Sequence, residues 1–124
     1  MGKINKNNTM GFYELEKNVI QWAAEKGILE KATPLAQCEK TIEEVDELFE
    51  ALQAQENGQE EFENSKSKIV NTKEEIIDGI GDSIVTLIIQ AKMQGVTLTE
   101  CLDEAYNVIK NRSGKMISGK FVKD

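Results

Sequence analysis

Apolar positions recur along the chain at helical spacing in four separate runs. Phe12, Leu15, Val19, Ile20, Trp22 and Ala23 share one side of a helix of about four turns that ends by Gly27. Thr33 before Pro34 has the form of an N-cap and a first helical residue, so a second helix opens there. Its Leu35, Cys38, Ile42, Val45, Phe49 and Leu52 alternate steps of three and four, which draws one continuous apolar stripe before Asn57 and Gly58 end the helix. A third helix is predicted from Thr72 to near Gln94, stopped by Gly95. Thr97 with Glu100 then forms the capping box of a fourth, which runs through Asn111.

Between these runs the signals are weaker. Residues 59–71 are polar, with only Phe62, Ile69 and Val70 to anchor them, and are expected to form a connecting loop or a loose helical turn. Residues 1–10 are polar and Asn-rich and are expected to be flexible. The tail, 113–124, holds Gly114 and Gly119 and is expected to be irregular or a short hairpin. No strand run or internal repeat stands out. The economical expectation is one all-α domain over residues 1–124, four-helix bundle-like, with an irregular C-terminal tail.

The third helix carries more than a core stripe. At about 100° per residue, Glu75, Asp78, Asp82, Val85 and Ile89 fall on one side, and Ile76, Ile80, Ile84, Leu87 and Ala91 on another. A helix apolar on two sides is expected to be buried on two sides. Asp78 and Asp82 thus extend a stripe that becomes core one turn later. The second helix has its own acidic cluster, Glu43, Glu44, Asp46 and Glu47, matched by Glu74, Glu75, Asp78 and Asp82 on the third. Carboxylates at the edge of so apolar a helix are costly to bury without a cation. Facing helices that each place carboxylates at i, i+3 or i+4 are how bundles hold divalent ions, and all-oxygen ligands favour magnesium or manganese. The competing account is two solvated acidic faces, the third helix's acids also suiting its N-terminal dipole.

Charge and composition narrow the chemistry. Apolar residues make up 40% and charged residues 30% of the 124, as in a globular protein. The net charge of −7, without a basic cluster, argues against nucleic acid or an anionic membrane as partner. With no histidine, Ser-His-Asp and Cys-His mechanisms and His-ligated zinc are excluded. Cys38 and Cys101 occupy apolar helical positions and are expected to be reduced and buried, which suggests a cytoplasmic setting. No signal-peptide core and no membrane-length apolar run is expected.

One set of residues resembles a known family. Gln37-x-x-Lys40-x-x-Glu43-Glu44-x-x-Glu47-Leu48, then Ile80-Gly81-Asp82-Ser83-Ile84-Val85, then Asn107 with Lys110 and Arg112, is similar to the MazG-like all-α nucleoside triphosphate pyrophosphohydrolases. The likeness covers Trp22 to Arg112 and follows that family's EExxE and ExxD signature. The second element departs from it. With Asp82 as the family's aspartate, the glutamate three residues earlier is replaced by Gly79, and Asp78 would supply the missing carboxylate; the alternative register, Glu75-x-x-Asp78, satisfies ExxD literally.

The resemblance implies magnesium-dependent hydrolysis of a nucleoside triphosphate to the monophosphate and pyrophosphate, with manganese as an alternative ion. Glu44, Glu47, Asp78 and Asp82 are then the metal ligands, and Glu43, Glu44 and Glu47 the catalytic carboxylates. Lys40, Asn107, Lys110 and Arg112 become substrate contacts, with Trp22 stacking on the base. A homodimer or homotetramer follows from the same likeness and from the amphipathic first helix. Two other readings stand beside it: a non-catalytic helical protein-interaction module, and a pyrophosphohydrolase acting on a phosphoribosyl-nucleotide.

Overall fold

The computed structural model describes residues 10–124, so the expectation of flexibility for 1–10 falls, Met10 apart, outside the described residues. Helix α1 spans Phe12–Glu25 and stops where Gly27 takes φ +77°; a single turn, α2 (Ile28–Lys31), follows and was not foreseen. Helix α3 runs Pro34–Glu56, and the Thr33 hydroxyl accepts the Ala36 N–H at 3.2 Å, as the Thr-Pro signal requires. Helix α4 spans Thr72–Met93 behind an Asn71 cap, its Oδ1 accepting the Glu74 N–H at 3.0 Å. The Thr97–Glu100 capping box is present in full at the start of α5 (Leu98–Ile109).

The 59–71 connection, expected to be a loop or a loose helical turn, contains sheet, and the tail takes the hairpin form that was one of its two expected alternatives. Residues 59–71 form an antiparallel hairpin of β1 (Glu61–Glu63) and β2 (Ile69–Asn71), with Phe62 opposite Val70. Asn64 fixes its turn by accepting the N–H groups of Lys66 and Lys68 at 2.9 and 3.0 Å, in the manner of an Asx turn. The tail is a second hairpin, β3 (Gly114–Ile117) with β4 (Lys120–Lys123). Its two-residue turn puts Ser118 at φ +51° and Gly119 at +80°, the positive pair a tight hairpin needs. The chain is therefore mostly helical with two small hairpins, not all-α.

The long helices α3 and α4 are the scaffold, and they run antiparallel. Leu48 meets Gly79, the Gln37 side-chain amide donates to the Thr86 carbonyl at 3.2 Å, and the Gln90 amide donates to the Pro34 carbonyl at 2.8 Å. The helices approach closely at Gly79: a Cβ there would sit 2.9 Å from the Leu48 Cβ. Helix α1 packs on one side of α4, and its buried Glu16 accepts the Leu98 N–H (2.8 Å) and the Thr99 hydroxyl (3.2 Å), which pins the N-terminus of α5. No residue of α5 is buried.

The core is small. Buried apolar residues are Ala23, Ala51, Ala54, Ala91, Ile76, Ile88 and Ile89. The α3 stripe is left exposed at Leu35, Ile42, Val45, Phe49 and Leu52, and so is most of the second α4 stripe, Ile80, Ile84 and Leu87. Cys38 and Cys101 are exposed as well, contrary to expectation, because each sits on a helix side that nothing within the chain covers. No helix among the described residues is long and apolar enough to cross a membrane.

Candidate functional site

Taking the Leu48–Gly79 contact as the direction in which α3 and α4 face each other, helical geometry sorts the remaining positions into two sides. Lys40, Glu44 and Glu47 on α3, with Glu75, Asp78, Asp82 and Val85 on α4, fall on the side that α1 covers. Most of the two acidic clusters accordingly lie along one side of the α3–α4 pair. Glu47, Glu50, Glu75, Asp78 and Asp82 line a cavity of about 250 Å³, roofed by Asn64, Ser65, Lys66 and Lys68 of the first hairpin. Glu44 and Asp82 line an adjoining cavity of about 240 Å³ with Trp22, Lys40, Val85 and Ile89. A third hollow carries Asp82 and Trp22 on toward Leu15, Asn18 and Val19 of α1. Asp82 is common to all three.

Like charges brought together in partial burial raise one another's proton affinity, and the site behaves so. Burial, then the adjacent Glu47 carboxyl, pushes Glu44 above the ordinary carboxylate value, with Lys40 opposing. Burial raises Glu75, helped by Asp78, Glu47, Asp82 and Glu50. Asp82 is raised by burial and then by Asp78 and Glu47, although the residue stays partly open to water, which screens the effect. Two lysines relieve the crowding. Lys40 Nζ lies 3.0 Å from Glu43 and 3.3 Å from Glu44, and Lys66 Nζ lies 3.1 Å from Glu47. Both ammonium groups are held above their usual pKa, Lys40 chiefly by its hydrogen bond to Glu43 and Lys66 by that to Glu47.

The predicted site residues divide accordingly. Glu44, Glu47, Asp78, Asp82, Lys40 and Trp22 gather on one side of the α3–α4 pair. Glu43 points outward onto Lys40 and lines neither carboxylate cavity; Asp46 and Glu74 are exposed and also line neither. Asn107, Lys110 and Arg112 do not join the site, because α5 leaves the scaffold after its first turn and carries them away, exposed. Among the described residues no three acidic side chains lie close enough together to form a ready-made metal cage. The roof residues Lys66 and Ser65 gave no sequence signal, since only the hairpin turn places them over the acids. Ser65 N–H donates to Glu50 at 3.0 Å and helps to hold the turn there.

Comparison of the chain with family models, curated proteins and solved structures finds no match in any of the three. Glu44, Glu75 and Asp82, each raised first by burial and then by neighbouring carboxylates, lie in hollows that adjoin the exposed Trp22 ring.

Proposed function

We propose that the protein is a MazG-like, magnesium-dependent pyrophosphohydrolase that cleaves a nucleoside triphosphate to the monophosphate and pyrophosphate. The observation that carries this is the lining of two adjoining cavities, Glu47, Asp78 and Asp82 in one and Glu44 and Asp82 in the other, the second walled also by Trp22. Those four carboxylates would hold the ion. Bound there, magnesium (or manganese) neutralises the polyphosphate and lowers the pKa of water. Trp22, 46% exposed at the edge of the second cavity, offers a flat surface for the base.

In the reaction a water oxygen bonds to the α-phosphorus as the bond from that phosphorus to the bridging oxygen breaks, and pyrophosphate carries away the electron pair. The water's proton needs an acceptor inside the cavity. Glu75 lines it and has a raised proton affinity, so it suits this task better than Glu43, which is engaged with Lys40. Lys40 and Lys66 stand at the edges of the carboxylate group and supply positive charge for phosphate oxygens. The test is pyrophosphate release from ribo- and deoxyribonucleoside triphosphates and a phosphoribosyl-nucleotide, with and without magnesium. Magnesium-dependent release from a triphosphate is the expected result; release from none of them removes the assignment.

A further inference from the structure

The three hollows that share Asp82 are strung along α4, and their order gives the site two ends. Trp22 lines two of them together with Val85, which lies about one turn beyond Asp82 toward the C-terminus of the helix. The remaining cavity lies the other way, beside Asp78 and Glu75, and the turn of the first hairpin closes over it. Trp22 does not line this cavity, and no residue of the hairpin lines the other two. From Asp82 back to Glu75 the helix rises about 10 Å, at roughly 1.5 Å per residue, a span that accommodates two linked phosphoryl groups. A nucleotide with its base on Trp22 and its reacting phosphorus at Asp82 therefore sends its other two phosphates under the hairpin.

The turn offers what those phosphates need. The helices contribute only carboxylates to this cavity, Glu47, Glu50, Glu75, Asp78 and Asp82, so side-chain donors for phosphate oxygens come from the hairpin, chiefly Lys66 and Lys68. The two lysines are in different states. Lys66 is bound to Glu47 at 3.1 Å, whereas Lys68 makes no ion pair among the described residues. The backbone of Lys68 is nonetheless held at both its polar groups: its N–H donates to Asn64 Oδ1 at 3.0 Å, and its carbonyl accepts the Asn64 N–H at 2.9 Å.

We infer that Lys68 binds the pyrophosphate end of the substrate and, after cleavage, the pyrophosphate released. Its role rests on the pyrophosphohydrolase reading above, to which it adds the direction in which the substrate lies and a residue outside the acidic signature. Lys66 reaches a phosphate only by giving up Glu47, so the first charge-assisted contact falls to Lys68, whose ammonium group has no carboxylate of its own.

Calorimetric titration of the full chain with micromolar inorganic pyrophosphate at saturating magnesium reads this contact without turnover. Wild type should bind. Lys68→Met should bind roughly tenfold more weakly or worse, and Lys68→Arg, which keeps the charge, should recover most of the loss. Magnesium titrated alone should bind Lys68→Met no less tightly than wild type, which separates a lost phosphate contact from a damaged site. With a triphosphate, Lys68→Met should raise KM by a similar factor and leave kcat little changed, because the contact is made before and during the reaction alike. Wild-type protein without pyrophosphate affinity, Lys68→Met that binds pyrophosphate like wild type, or Lys68→Arg as weak as Lys68→Met overturns the assignment of Lys68. If the same wild type still releases pyrophosphate from a triphosphate with magnesium, the pyrophosphohydrolase reading stands without it; a chain that neither binds magnesium nor cleaves any triphosphate overturns both.

Discussion

Asp82 is the residue on which the site turns, because it alone borders all three hollows and is repelled by both Asp78 and Glu47. Its carboxyl titrates higher in the folded chain than in the unfolded one, so ionising it costs the fold stability. That cost is fully present above the raised value and vanishes as pH falls below the ordinary carboxylate value. Asp82→Asn should therefore melt slightly higher than wild type at neutral pH without metal, the effect kept small by solvent screening, and the advantage should fade as pH falls into the ordinary carboxylate range. An advantage that grows with acidity would show that the repulsion is not there. The same substitution should weaken magnesium binding by ~10-fold or more and remove pyrophosphate release. Asp78→Asn should weaken the binding comparably. Glu75→Gln separates the roles: as proton acceptor it should lose turnover with magnesium affinity kept. If it instead loses affinity while Asp82→Asn is mild, the literal Glu75-x-x-Asp78 register holds the ion. Lys66 competes with a cation for Glu47, so Lys66→Ala should bind magnesium a few-fold more tightly in a calorimetric titration.

At the scale of elements, the helices were legible because their ends carry explicit chemistry: Thr33-Pro34, Thr97 with Glu100, and the stops at Gly58 and Gly95 with φ +73° and +78°. The hairpin over the acids was not. Its strands are three residues long, one of them Glu-Phe-Glu, too short for alternation to register, and its turn is held by Asn64 and by Glu50 from a distant helix. Periodicity also showed which positions are apolar without showing what would cover them, which is why Cys38 and the α3 stripe read as core. The acidic half of the site was legible as i, i+3 and i+4 spacing; its lysine roof came from a turn that no spacing encodes. Gly79 faces Leu48 at the helix crossing, where a Cβ would already sit 2.9 Å from the Leu48 Cβ and no larger side chain fits. Gly79→Ala should force α3 and α4 apart and cost about 1–3 kcal/mol, read as a lower denaturation midpoint, in spite of alanine's better helix propensity. An unchanged or higher midpoint would mean that the crossing yields easily.

For the whole molecule, the decisive property is that the fold gathers carboxylates from two helices that lie far apart in an unfolded chain. A cation that binds them together binds only the folded state and stabilises it by mass action. At a magnesium concentration tenfold above its dissociation constant the gain is about 1.4 kcal/mol, or a rise of ~5 °C in melting temperature for a chain of this size. The pH dependence of that rise follows from the site itself. Glu44, Glu75 and Asp82 hold their protons more firmly than ordinary carboxyls, so protons compete with the ion from a higher pH than they would at an isolated acid. The magnesium-induced shift should be largest at neutral pH and above. It should shrink as pH falls through the raised values of these groups and be absent once all are protonated. Calorimetric scans at several pH values, with magnesium and with chelator, measure it directly. A shift of the same size at pH 4 and pH 8 would mean that the ion binds somewhere other than these carboxylates.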